Sequence, residues 1–243
     1  MQATAHQADR HTRIVPENKL ELAQSLDLPD VLLHLTYRRG RASPGVEPEI
    51  ASMDPWDRVA NLLLYRTLRF GRPFDTTWPV ASFMQTTPRA LFGLHLFQPT
   101  GLAFHKQAVW DAGGGPVHYV RGDHWPAWRG SNLPDQVKSM GVRLSPGSNE
   151  TAEGGFFSVQ PRARSEWMHE REWRLPCPDL TMWGWSFPWE AVAFLVFPGP
   201  EVRDHMLTTL SKWGGDRGWA ERLPVAYPDA TTRTFHGAGS IWA

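Results

Sequence analysis

The apolar positions along the chain recur with two different periods. In "KLELAQSLDLP", residues 19–29, Leu20, Leu22, Ala23 and Leu26 lie at helical spacing and Pro29 ends the run. The next block, "DVLLHLTY", is an apolar run of strand length that leads into the basic turn "RRGRASPG". It predicts a buried strand whose polar exceptions are His34 and Thr36, which sit two apart and therefore share a side. The clearest helical signal runs from Trp56 to Phe70. Asp54 stands at the N-cap, Pro55 at the favoured first position and Gly71 at the stop. Arg66 and Arg69, three apart, would share a face of that helix. "WPVASFMQTTP" predicts a second strand broken by Pro88, whereas "GLAFHKQAVW" is amphipathic and fits either element type.

Further along, "DAGGGPVHYV" predicts a glycine-rich turn feeding a short strand from Pro116 to Val120. Residues 121–165 are rich in Gly, Pro, Ser and Asn, which predicts an irregular, mobile loop over a site. "WEAVAFLVFPGPEVRDHMLTTLSKWGG" reads as strand, short loop, helix and glycine stop, and "LPVAY" as a last strand. The expected architecture is a single α+β domain over residues 19–243. It has a mixed or antiparallel sheet with flanking helices and follows a polar tail over residues 1–18.

Composition sharpens this picture in three places. Twenty-five basic and 25 acidic residues cancel, so no global field draws the protein to nucleic acid or an anionic membrane. Any polyanion has to be held locally, and "YRRGRAS" with "YRTLRFGR" supplies six arginines and no acid. Thirteen tryptophans predict aromatic surfaces as well as core. Cys177 is the one cysteine, which excludes an intramolecular disulfide. No apolar run approaches the ~18 residues of a membrane span, and the first 20 residues lack a leader-like apolar segment. No membrane partner and a cytoplasmic location are expected.

The densest charge pattern is "WMHEREWRLP", residues 167–176. As a strand it places Trp167, His169, Arg171, Trp173 and Leu175 on one side. Met168, Glu170, Glu172 and Arg174 fall on the other, with the two carboxylates roughly 7 Å apart. A helix would instead pair Glu170 with Arg174, but Pro176, Pro178 and the tryptophans favour strand. Two carboxylates beside an arginine can have the separated proton affinities that acid–base chemistry needs. The same line also fits an exposed strand face with Arg174 as a structural counter-ion. Likewise, His34 is either a ring nitrogen presented to a ligand or a satisfied core histidine. "GGGP" lacks the Lys-Ser/Thr of a phosphate loop, and His95, His105, His118 and His124 lack metal-site spacing, so no metal is expected. Cys177, between two prolines, has no nucleophile signature.

Several segments occur together in a familiar order: "LLHLTY", "VASFMQTTP", "FGLHLFQPTGLAFHKQAVWDAGGGPVHYV" and "SEWMHEREWRLP". Across roughly residues 31–198 they resemble the bacterial AbiGi-type abortive-infection proteins and the related DUF2971 proteins. Those carry an early His-x-Thr strand, a "YGxxGIxFxKxWxxxxGxxPVxY" block and a late "WxxExEWR". That layout is in turn similar to divergent ADP-ribosyltransferases such as the DarT-like toxins. The resemblance implies NAD as substrate, with His34, and Thr36 beside it, on a ribose. Phe83, Gln85 and Tyr119 would line the cofactor site, with Arg174 beside them. Arg38, Arg66 or Arg69 would meet the pyrophosphate, and Glu172 or Glu170 would be catalytic. Two departures stand out. Gln85, in "FMQT", occupies a position where the relatives carry an acid, and there is no Arg-Ser-Thr-Ser pattern.

Three functions follow as expectations. One is an NAD-consuming transferase or glycohydrolase in phage defence or a toxin–antitoxin pair, with nucleic acid as a candidate acceptor. Another is a non-catalytic antitoxin, sensor or interaction protein on the same fold, whose partner is a nucleotide, a nucleic acid or a cognate toxin or antitoxin. The third is a nuclease that uses the arginine clusters and holds a divalent ion on Glu170 and Glu172.

Overall fold

The computed structural model describes residues 29–36, 48–72, 76–87, 91, 99–144, 171–229, 231–232 and 234–238. The polar tail, nearly all of the helix expected over 19–29, Arg38 with its basic turn, Glu170 and residues 145–165 lie outside the described residues.

An eight-stranded mixed sheet organises the chain. Its strands are β1 (Val31–Leu35), β3 (Val80–Met84), β4 (Gly101–His105), β5 (Gly115–Pro116), β8 (Glu172–Pro176), β10 (Val192–Val196), β11 (Val225–Asp229) and β12 (Thr234–Gly237). They run in the order β12-β11-β10-β4-β1-β3-β8-β5, and β10–β11 is the parallel pair. A two-stranded ribbon joins β2 (Thr67–Arg69) to β9 (Gly184–Ser186), and another joins β6 (His118–Arg121) to β7 (Gly141–Leu144). The α+β class with a mixed sheet is the one expected.

β1 is apolar on consecutive positions because both of its faces are covered. Leu32 joins Phe83, Phe104, Trp173 and Leu195 in one core. Val31 and Leu33 join Phe194, Val196 and Phe235 in the other. The first core is roofed by α2 (Pro55–Tyr65) and α6 (Pro200–Lys212), which contribute Leu63, Met206 and Leu210. Thr209 of α6 donates to the Asp57 carboxylate of α2 at 2.9 Å, which fixes the helix pair.

Three expectations need correction. The helix expected to reach Phe70 stops at Tyr65, where Arg66 turns into the left-handed region at φ 48. Leu68 is then free to enter the first core as part of β2, a burial worth about 1.5–3 kcal/mol that a continued helix would forgo. Arg66 and Arg69 therefore share no helical face. The short α1 (Pro48–Ser52) precedes that helix.

The ambiguous "GLAFHKQAVW" divides into β4 and α3 (Lys106–Asp111). Gly113, at φ 97, turns the chain out of that helix. The strand expected over 116–120 is likewise two, β5 on the main sheet and β6 on a ribbon.

Residues 121–144 are regular rather than irregular. They hold α4 (Trp125–Gly130), α5 (Asp135–Lys138) and β7. Their polar composition hides this because tertiary partners supply the anchors. Trp128 donates its indole N–H to the Lys138 carbonyl at 3.2 Å, and Arg174 of the main sheet holds the Ser139 and Gly141 carbonyls.

Candidate functional site

The site begins at Arg171, whose φ of 43 lies in a region that non-glycine residues seldom occupy. β8 starts at the next residue. Trp173 and Leu175 enter the first core, while Glu172 and Arg174 face the other side. Antiparallel register places Glu172 opposite Met84 and Arg174 opposite Ser82, so Ser82 shares that face.

Each polar atom of this group has a partner. Arg174 donates from Nε to Glu172 Oε1 at 2.8 Å and from Nη2 to Oε2 at 3.2 Å, a fork-on-carboxylate pair. Its Nη1 donates to the carbonyls of Ser139 at 2.6 Å and Gly141 at 2.9 Å. Ser82 adds its hydroxyl to Glu172 Oε1 at 3.0 Å. The Glu172 backbone N–H donates to the Tyr119 hydroxyl at 3.1 Å. The Arg174 side chain is 4% exposed and that of Glu172 14%. Burying two charges this deeply is tolerable only because the pairing is so complete.

His34 lies on the opposite face. Along β1 it alternates with Leu33, which sits across from Met84, and shares the side of Leu32. Its Nδ1 donates to the Ser82 carbonyl at 3.0 Å, and its ring meets the Phe83 ring edge-on at 6.1 Å between centroids. Ser82 is thus the residue that touches both predicted centres, His34 through its carbonyl and Glu172 through its hydroxyl. The sequence did hold a signal for it, since Ser82 is the one polar residue within "VASFM".

The other predicted residues are placed as follows. Phe83 is buried in the first core against Phe104 and Trp185. Gln85 is also buried. Its Oε1 accepts from the Trp173 indole at 3.0 Å and its Nε2 donates to the Pro29 carbonyl at 3.0 Å. Thr36 closes the end of β1, its hydroxyl shared between the Pro55 and Thr100 carbonyls at 2.9 and 3.0 Å. The Arg66 guanidinium lies 5.3 Å from the centre of the Trp189 ring, and that of Arg69 at the same distance from Trp183. Tyr119, Glu172 and Arg174 are therefore brought together. His34, Phe83 and Gln85 form a separate group across the sheet, and Arg66 and Arg69 lie outside both. Arg38 and Glu170 are outside the described residues.

Cys177 is buried, and burial pushes its thiol up from the usual range while Sγ–H donates to the Asp179 carbonyl at 2.9 Å. It fits a packed thiol rather than a nucleophile. Among the described residues no group of three or more His, Cys, Asp or Glu is arranged to hold a metal, and no helix is long and apolar enough to cross a membrane. Two surface clefts of about 340 and 360 Å³ are lined by neither Glu172 nor His34. No known protein family, curated protein or solved structure matches the chain, so the chemistry of the site has to be taken from its own side chains.

Proposed function

We propose that the protein is a non-catalytic interaction protein, of the antitoxin or sensor kind, built on an ADP-ribosyltransferase-like arrangement of strands. The observation that carries this reading is the state of the Glu172 carboxylate. A carboxylate that stabilises positive charge on a sugar carbon has to point its oxygens at that carbon. Both oxygens of Glu172 already accept from Arg174, and Ser82 takes a further position on Oε1. Arg174 in turn ties the β6–β7 ribbon to the main sheet, which gives the ion pair a structural task. Gln85, where the resembling proteins carry an acid, is held as a buried amide between Trp173 and Pro29.

An NAD-consuming transferase is the second reading. Its support is that the histidine strand, the central strand and the glutamate strand are neighbours, in the order β1-β3-β8, with Ser82 linking them. That reading requires Arg174 to release Glu172 when the dinucleotide arrives.

Incubating the purified protein with NAD separates the two. The interaction reading expects no NAD loss from the wild type or Glu172→Gln, and equal growth of cells expressing either. NAD loss that Glu172→Gln abolishes, with the circular dichroism spectrum unchanged, would overturn it in favour of the transferase.

A further inference from the structure

The cleft of about 340 Å³ lies between α1, α2 and the β2–β9 ribbon. It is on the side of the sheet that α2 covers, away from Glu172. Asn61 and Tyr65 are one turn apart on α2 and form one wall. Thr67 and Arg69 sit two apart on β2 and form the floor. Trp183 and Glu49 close it.

Two features set this cleft apart from ordinary surface. Tyr65 is 61% exposed and Trp183 58%, so two large aromatic side chains stand largely in water along this one cleft. The Asn61 amide, the Tyr65 hydroxyl and the Glu49 carboxylate have no protein partner among the described residues, in contrast to the Glu172 cluster, where each polar atom has one. Arg69 packs its guanidinium over the Trp183 ring, 5.3 Å from its centre, which helps to hold that ring in place at the cleft.

We propose that this cleft binds a nucleobase, guanine in preference, with Trp183 and Tyr65 as stacking surfaces. A planar heterocycle is the ligand class that uses aromatic faces and in-plane hydrogen-bonding groups together. Guanine offers adjacent N1–H and N2–H donors, which a carboxylate such as Glu49 accepts, and an O6 acceptor for the Asn61 amide N–H. Adenine presents a ring-nitrogen acceptor where guanine has N1–H, and so sets a lone pair against the carboxylate. The volume lies in the range of small-ligand sites. The base can belong to a free nucleotide or to a single-stranded nucleic acid. The inference is independent of whether Glu172 is catalytic.

Isothermal titration calorimetry on the full chain with GMP, AMP and a guanine-containing single-stranded oligonucleotide tests it. GMP is expected to bind, and AMP about tenfold more weakly or worse. Trp183→Ala and Asn61→Ala should each weaken GMP by about tenfold at an unchanged melting temperature. Glu49→Gln should erase the preference over AMP. Tighter binding of the oligonucleotide than of GMP assigns the base to a nucleic acid, and weaker or equal binding assigns it to a free nucleotide. Absence of heat with both guanine ligands, equal affinity for GMP and AMP, or GMP affinity left unchanged by Trp183→Ala overturns the proposal. NAD turnover is a separate measurement, so either result stands without the other.

Discussion

Two regions of this protein use nearly the same side-chain vocabulary to opposite ends. The cluster on β8 combines Glu172, Arg174, Ser82 and Tyr119; the cleft beside α2 combines Glu49, Arg69, Thr67 and Tyr65 with Asn61 and Trp183. In the first, carboxylate and guanidinium satisfy each other inside the fold. In the second, amide, hydroxyl and carboxylate face a groove without protein partners among the described residues, between exposed aromatic rings. Charge density in the sequence marked the first region as the candidate for chemistry. Pairing within the fold separates the two: both Glu172 oxygens already accept from Arg174, and a group engaged in that way has less to offer a ligand than one without a protein partner.

The largest test of this contrast is Arg174→Ala. It leaves the mostly buried Glu172 carboxylate without its counter-ion and removes the donor from the Ser139 and Gly141 carbonyls, so a loss of about 3–5 kcal/mol is expected in chemical denaturation. A loss below about 1 kcal/mol would place the pair among surface ion pairs and break the comparison. Gln85→Leu comes next. It leaves the buried Trp173 indole N–H and the Pro29 carbonyl unpaired, at a cost of about 1–3 kcal/mol, and the melting curve reads it. The cleft should behave differently. Trp183→Ala is expected to change stability by no more than about 0.5 kcal/mol, because the ring is mostly in water. A larger loss would make Trp183 part of the fold and not of a binding surface.

The smallest effect concerns a third place, the turn between β11 and β12. Hydrogen bonds from Thr232, Thr231 and His236 hold the Asp229 carboxyl well below the ordinary carboxylate range. A depressed folded value contributes stability above the unfolded value of about 3.9, and that contribution is lost as pH falls through the folded one. Amide-exchange protection in the β11–β12 hairpin, corrected for the intrinsic exchange rate, should therefore fall as pH drops below about 4, and Asp229→Asn should remove that fall. An unchanged acid profile in the variant would show that the turn does not depend on this carboxylate.

Much of the frame was legible along the chain. The apolar run of β1, the Pro-to-Gly helix α6 and the alternation of Glu172 and Arg174 against Trp173 and Leu175 all appear as periodicity, which depends on neighbours only. Less legible were the stop at Arg66 and the regular elements over 121–144. Burial of Leu68 decides the first, and the distant Arg174 anchors the second.

Periodicity thus determined the class of the fold, the main strands and the pairing of residues on each strand's two sides. It could not say which side meets which. Only the tertiary structure set His34 and Glu172 on opposite faces, and only it joined Gln85 to Trp173 across 88 positions and His34 to Ser82 across 48. A strand's alternation is local, whereas hydrogen-bond partners are supplied by whichever segment packs alongside. For polar residues the partner comes from the fold, and so only the tertiary structure showed Arg174 joining Glu172 to the carbonyls of Ser139 and Gly141.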